Sequence, residues 1–142
     1  MTKKAQNNSI GNLLIQICKI RRNKSNALLS ELGLHSGQDA LLYYLSIEDG
    51  QTVSSLASKL CIQQATISNM LDRMEASGMI KKLKDTSDKR TSRVYLTANG
   101  KEVIKDVSKV WRTMESLTVR DFNDDEKSTL TTLLQKVLNN IE

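Results

Sequence analysis

The sequence predicts a mainly α fold carrying one small β-hairpin, on three observations. Apolar residues recur at helical spacing through most of the 142 residues. Two short amphipathic stretches succeed one another closely and end at Gly78. Two strand-like runs then flank a charge-dense segment, residues 85–92.

In chain order, Ile10, Leu13, Leu14 and Ile17, then Leu28, Leu29 and Leu32, mark a first helix. In the first short stretch Val53, Leu56, Ala57 and Leu60 fall at i, i+3, i+4 and i+7, one apolar stripe on a helix, and Thr52 is a suitable N-cap. The second stretch repeats the spacing with Ile67, Met70, Leu71 and Met74 and stops at Gly78, a residue that readily takes the left-handed conformation ending a helix. Only Cys61-Ile62-Gln63 lie between them. With the second stripe turned inward, Gln64, Thr66, Ser68, Asn69, Asp72 and Arg73 occupy the outer surface. Amides, hydroxyls and Arg are the groups that read base edges and phosphates, although a polar outer face is also the default of a surface helix.

The segment after Gly78 weights the first meaning. Ile80–Lys84 and residues 93–97, with Ile80, Leu83, Val94 and Leu96, read as the strands of a hairpin. Helix, turn, helix and charged hairpin is the order of a winged helix-turn-helix, whose second helix enters the DNA major groove while the loop reaches the neighbouring backbone or minor groove. From Lys59 to Lys101 there are nine Lys/Arg against four Asp/Glu, so this third of the chain carries +5, the net charge of the whole. Residues 1–34 hold six basic side chains and one acidic, and the rest is acidic on balance. Positive charge gathered on the reading head suits counterion-releasing contacts to phosphate, and points to nucleic acid before membrane.

Val103, Ile104, Val107, Val110, Trp111, Met114 and Leu117 mark a further long helix; a last one starts near Asp124, with Leu130, Leu133, Leu134, Val137, Leu138 and Ile141 as its stripe. Asp124, Asp125 and Glu126 complement its dipole at the N-terminus, which accounts for them without a catalytic acidic cluster. These helices offer more apolar surface than one small winged helix covers. Pairing with a second copy is the economical solution, since a two-fold dimer presents two heads to half-sites ~34 Å apart.

Four local matches, in order, make the chain resemble the MarR family of bacterial transcription regulators. They are Leu34-His35-Ser36-Gly37-Gln38 followed by Ala40 to Leu45; Thr52 to Ala57 with Leu60; Ala65 to Ile80; and Asp88-Lys89-Arg90 followed by Leu96-Thr97 and Gly100, like the family's D-x-R wing and L-T-x-x-G. The resemblance implies a second helix starting within the first match and a recognition helix in the third. It implies DNA contacts from Gln64, Thr66, Ser68, Asn69, Arg73 and Lys89, a wing-tip arginine in Arg90 that enters the minor groove, and in Asp88 an acid that orients it. Many relatives carry Arg where this chain has Asn69, and a proline at Ser36-Gly37. The first, fifth and sixth helices are implied to form the dimer interface. Small aromatic or phenolic effectors are implied to bind between head and dimer helices, where Tyr43, Tyr44 and Trp111 are core aromatics or pocket walls.

The remaining features narrow the function by exclusion. One domain is expected over 1–142, with a DNA-binding lobe at about 36–100 and dimerisation helices at about 8–32 and 101–142. No apolar run approaches the ~18 residues of a membrane helix. Met1-Thr2-Lys3-Lys4 leads into polar residues rather than a signal core, so a cytoplasmic protein is expected. Cys18 and Cys61 form no C-x-x-C pair, which argues against a metal or a disulfide; a redox trigger at either is the alternative, with Lys19, Arg21 and Arg22 beside Cys18. The lone His35 has no catalytic partner motif and reads as a surface or capping residue at the loop into the second helix. The expected protein is a non-enzymatic, cofactor-free homodimeric repressor that binds a pseudo-palindromic double-stranded operator and is released by a small ligand. A winged-helix protein-interaction module without specific DNA binding is the competing class.

Overall fold

The structure, a computed structural model, describes residues 9–142. The Met1-Thr2-Lys3-Lys4 segment and the first residue expected of the N-terminal dimerisation segment lie outside the described residues. The chain runs α1 (Ile10–Ser30), α2 (Gln38–Ile47), β1 (Gln51–Thr52), α3 (Val53–Leu60), α4 (Gln64–Ala76), β2 (Ile80–Lys84), β3 (Ser92–Leu96), α5 (Ala98–Thr118) and α6 (Asp124–Ile141).

Side-chain caps fix the helix starts. Ser9 accepts from the Asn12 N–H, Thr52 from Ser55, Thr97 from Gly100 and Asn123 from Glu126. At α6 the Glu126 carboxylate also accepts from the Asn123 N–H at 3.1 Å, completing a capping box. The acidic first turn is thus part of a helix start, as its charge pattern suggests. Gly78, at φ 79°, closes α4 in the left-handed region as expected.

The sheet is antiparallel in the order β1-β3-β2. Its hairpin pairs Ile80 with Leu96, Lys82 with Val94 and Lys84 with Ser92. The first strand matches the bounds expected from sequence, and the second lies one residue earlier than expected. β1 has no counterpart among those expectations: it is two residues long, too short for an alternating pattern, and Thr52 within it also caps α3.

One core joins the lobe. Leu41, Leu42 and Leu45 of α2, Leu56 of α3, Ile67, Leu71 and Met74 of α4, Ile80 and Val94 of the sheet and Val107 of α5 are buried together. This inward stripe turns the opposite side of α4 outward. The outer helices differ: Leu29 is the one buried residue of α1, and α6 has none. Ile10 and Ile141 remain 75% and 77% exposed, with Leu13, Ile17, Leu133, Leu134 and Leu138 also exposed.

Candidate nucleic-acid interface

Every polar residue expected to face DNA is exposed. Gln64 opens α4, and Thr66, Ser68, Asn69 and Arg73 come after it on the side away from Ile67, Leu71 and Met74. The Gln64 amide donates to Ser54 Oγ at 3.0 Å, which ties the start of α4 to α3 and leaves its carbonyl oxygen open. Asp72, also on the outer surface, is drawn off by Lys82 of β2, and Glu75 accepts from the Lys82 N–H at 2.8 Å. Neither carboxylate pairs with Arg73.

The hairpin loop carries Asp88, Lys89 and Arg90, all exposed. Asp88 Oδ1 accepts from the Arg90 backbone N–H at 3.0 Å and Oδ2 from the Thr91 hydroxyl at 3.2 Å. The expectation that Asp88 orients the guanidinium therefore takes a different physical form. The short carboxylate reaches the backbone two residues on, an Asx turn, and shapes the tip rather than pairing with the side chain. Among the described residues no ion pair engages the Arg90 guanidinium or the Lys89 ammonium.

The base of the loop is braced by a residue pair that sequence reasoning missed. Arg93 donates from Nε to Asp85 Oδ1 at 3.2 Å and from Nη1 to the Gly50 carbonyl at 2.8 Å, joining the hairpin to the residue before β1. Burial pushes the Asp85 carboxyl up, but hydrogen bonds from Arg93 and Ser87, the Arg93 charge and the Thr86 N–H outweigh it and hold it below its ordinary 3.8. Asp49 adds a second brace, its Oδ1 accepting from the Leu96 N–H at 2.9 Å. An acid eight residues before an arginine across a hairpin is the signal that was available.

Thr66, Asn69 and Arg73 also line one side of an open cleft of about 310 Å³ whose other side is His35, Ser36 and Gln38, at the start of α2. Gln64, Ser68 and the loop residues do not line it. Elsewhere, Trp111 donates from Nε1 to Asp39 Oδ2 at 2.9 Å, and its ring lies 5.1 Å from that of Tyr43. Trp111 walls a cavity of about 500 Å³ with Cys18, Arg21, Arg22, Ser25, Met114 and Glu115. Cys18 and Cys61 are both free and exposed. No helix among the described residues is long and apolar enough to cross a membrane.

Residues 34–92 match the model of the MarR family. Over 118 residues, 83% of this chain and 79% of the relative, the sequence is 27% identical to the HTH-type transcriptional regulator YybA of Bacillus subtilis (strain 168). Over 130 residues, 91% of this chain and 90% of the relative, it is 26% identical to the multiple antibiotic resistance protein MarR of Escherichia coli (strain K12). A solved structure of mutant MarR from E. coli, complexed with operator DNA, matches with a TM-score of 0.79 at 25% identity, over 91% of this chain and 93% of that one.

Proposed function

We propose that this chain, whose residues 34–92 match the MarR family model, is a MarR-type transcriptional regulator and, from that premise, a homodimeric repressor of a pseudo-palindromic DNA operator. The observation that carries the reading is the outer face of α4. Thr66, Ser68, Asn69 and Arg73 are exposed there, while the two acids near them are engaged by Lys82 of β2, Asp72 by its ammonium and Glu75 by its backbone N–H. A helix surface whose acids are held toward β2 and that leaves amide, hydroxyl and guanidinium groups open suits contact with base edges and phosphate. The exposed cations of Lys89 and Arg90, on a turn shaped by Asp88, suit the adjacent backbone or minor groove.

Dimerisation is supported by the apolar residues that α1 and α6 leave uncovered. Release by a small effector is supported by the cavity at Trp111, which lies beside the Trp111–Asp39 link between α5 and the head. One observation favours a thiol trigger as a second reading: the exposed Cys18 lines that cavity together with Arg21 and Arg22, with Glu115 also in its wall.

Selection of duplex DNA by the purified protein from a random pool tests the proposal. An inverted repeat with half-sites about one helical turn apart, bound with a steep inverse dependence on salt, is expected. Recovery of no enriched sequence would favour the interaction-module class instead.

A further inference from the structure

We propose that the cleft between the start of α2 and the outer side of α4 is a seat for one backbone phosphate of the bound DNA, with Gln38 as its buried positioning residue. The inference rests on the DNA-binding reading and adds a contact from a helix outside the recognition helix.

Gln38 is 5% exposed, a burial that a neutral amide tolerates when its hydrogen bonds are made. Its Oε1 accepts from the His35 N–H at 3.1 Å. Its Nε2 has no partner among the described residues. No fully enclosed side-chain polar atom among them is left unpaired, so this donor opens on the cleft that Gln38 lines. A rigidly held, otherwise buried N–H₂ therefore awaits an acceptor from outside the chain. Around it stand the Ser36 and Thr66 hydroxyls, the Asn69 amide and the Arg73 guanidinium, over an apolar wall from Met70.

The electrostatics single this cleft out. The cavity at Trp111 contains Glu115, the groove under the α5–α6 turn contains Glu115 and Asp121, and the one along α6 contains Asp125 and Glu126. The cleft at Gln38 is lined by no carboxylate. The two nearest acids in sequence are engaged elsewhere, Asp39 by Trp111 and Asp72 by Lys82. Donors from four side chains and one cation then line the cleft without a competing anion, which is the chemistry of phosphate recognition. DNA is favoured over a soluble phosphate because Thr66, Asn69 and Arg73 belong at once to the cleft and to the outer face of α4. A phosphate seated there would set how α4 lies in the groove.

A phosphate-by-phosphate scan tests this. Operator duplexes with single methylphosphonate substitutions are titrated against the wild-type protein and against Gln38→Glu, which keeps the acceptor for the His35 N–H and replaces the donor with a carboxylate. One position per half-site is expected to lose about tenfold in affinity on neutralisation with wild type and to show no loss with the variant. Should Gln38→Glu fail to fold, Ser36→Ala and Arg73→Gln, both at exposed sites, are to be read by the same scan. Identical scans for wild type and variants overturn the seat while leaving DNA binding standing. A wild-type protein that binds no duplex overturns the DNA reading, and the seat with it. Saturable binding of inorganic phosphate, lost in Gln38→Glu, alongside a scan unaffected by the variant, would assign the cleft to a soluble phosphoryl ligand and overturn the proposal as stated.

Discussion

The indole of Trp111 and the carboxylate of Asp39 meet at 2.9 Å although they stand 72 residues apart, so that α5 holds the first turn of α2 by a charge-assisted hydrogen bond. α5 leads away from the hairpin toward α6, and α2 is part of the reading head's core. The bond thus ties α5 to the head. Trp111→Phe retains an aromatic ring beside Tyr43 and removes the donor. A loss of about 1–2 kcal/mol in urea unfolding is expected, the scale of one hydrogen bond to a charged group at a partly buried site. An unchanged midpoint and slope would mean the bond contributes nothing.

Arg90→Ala is expected to weaken operator binding by ~1–3 kcal/mol with no change in melting temperature, because the side chain is exposed and in no ion pair among the described residues. Asp88→Ala should weaken binding by a different route, by freeing the Arg90 N–H and Thr91 hydroxyl that shape the turn. The two losses should then fail to add in a double-mutant cycle. Additive losses would separate Asp88 from the wing contact.

The Asp85–Arg93 brace gives a pH dependence whose sign is fixed. The carboxyl is held below 3.8 in the folded chain, so its contribution is present above the ordinary carboxylate range and is lost as pH falls through the lowered folded value. As pH falls below the ordinary carboxylate range the hairpin base should loosen in wild type, read as loss of amide protection at Arg93. Asp85→Asn should already be loosened at neutral pH and lose that part of the acid response. An identical acid profile in both would sever the brace from the titration.

Gly100→Ala is the sharpest test of packing at the start of α5. A methyl built on Gly100 would lie 2.1 Å from the Met79 carbonyl oxygen, a backbone atom unable to swing aside. The same junction carries Thr97, whose hydroxyl donates to the Gly78 carbonyl at 2.5 Å and accepts from the Gly100 N–H. Destabilisation at or above the usual ~1–3 kcal/mol of overpacking is expected from denaturant unfolding. Wild-type stability would show that the turn between α4 and β2 can yield.

Leu134→Glu examines pairing. Leu134 is exposed on a helix that buries nothing, so the head should keep its fold while light scattering reports half the wild-type mass. A wild-type protein that is already monomeric at micromolar concentration would remove the dimer from the proposal.

Much of this arrangement was legible because helical periodicity is a direct imprint of burial. The stripes on α3, α4 and α5 appear where their spacing put them except at Leu117, which is exposed at the end of α5, and the caps at Thr52 and α6 match their residue types. The D-x-R segment is visible in the sequence, yet the atom Asp88 binds is not. A side chain's choice between a guanidinium and a backbone N–H is decided by local turn geometry, which spacing does not encode. Gln38 is more opaque. Its polarity and its place at the head of α2 suggest a surface residue, and only three dimensions reveal it buried with one half of its amide satisfied. Arg93 counts toward the basic surplus, whereas it is a brace whose charge Asp85 partly cancels. The net +5 of the reading head, which already subtracts Asp85, is therefore carried by fewer unpaired cations than its nine Lys/Arg.

The absence of any buried residue in α6 has a consequence for regulation by dose. In the proposed dimer the 18 residues of this helix gain their packing from association, so their order obeys mass action. Melting temperature should climb with protein concentration. Below the dissociation constant the two heads would part and each would hold a half-site alone, making the number of copies in a cell a control on occupancy that acts without an effector.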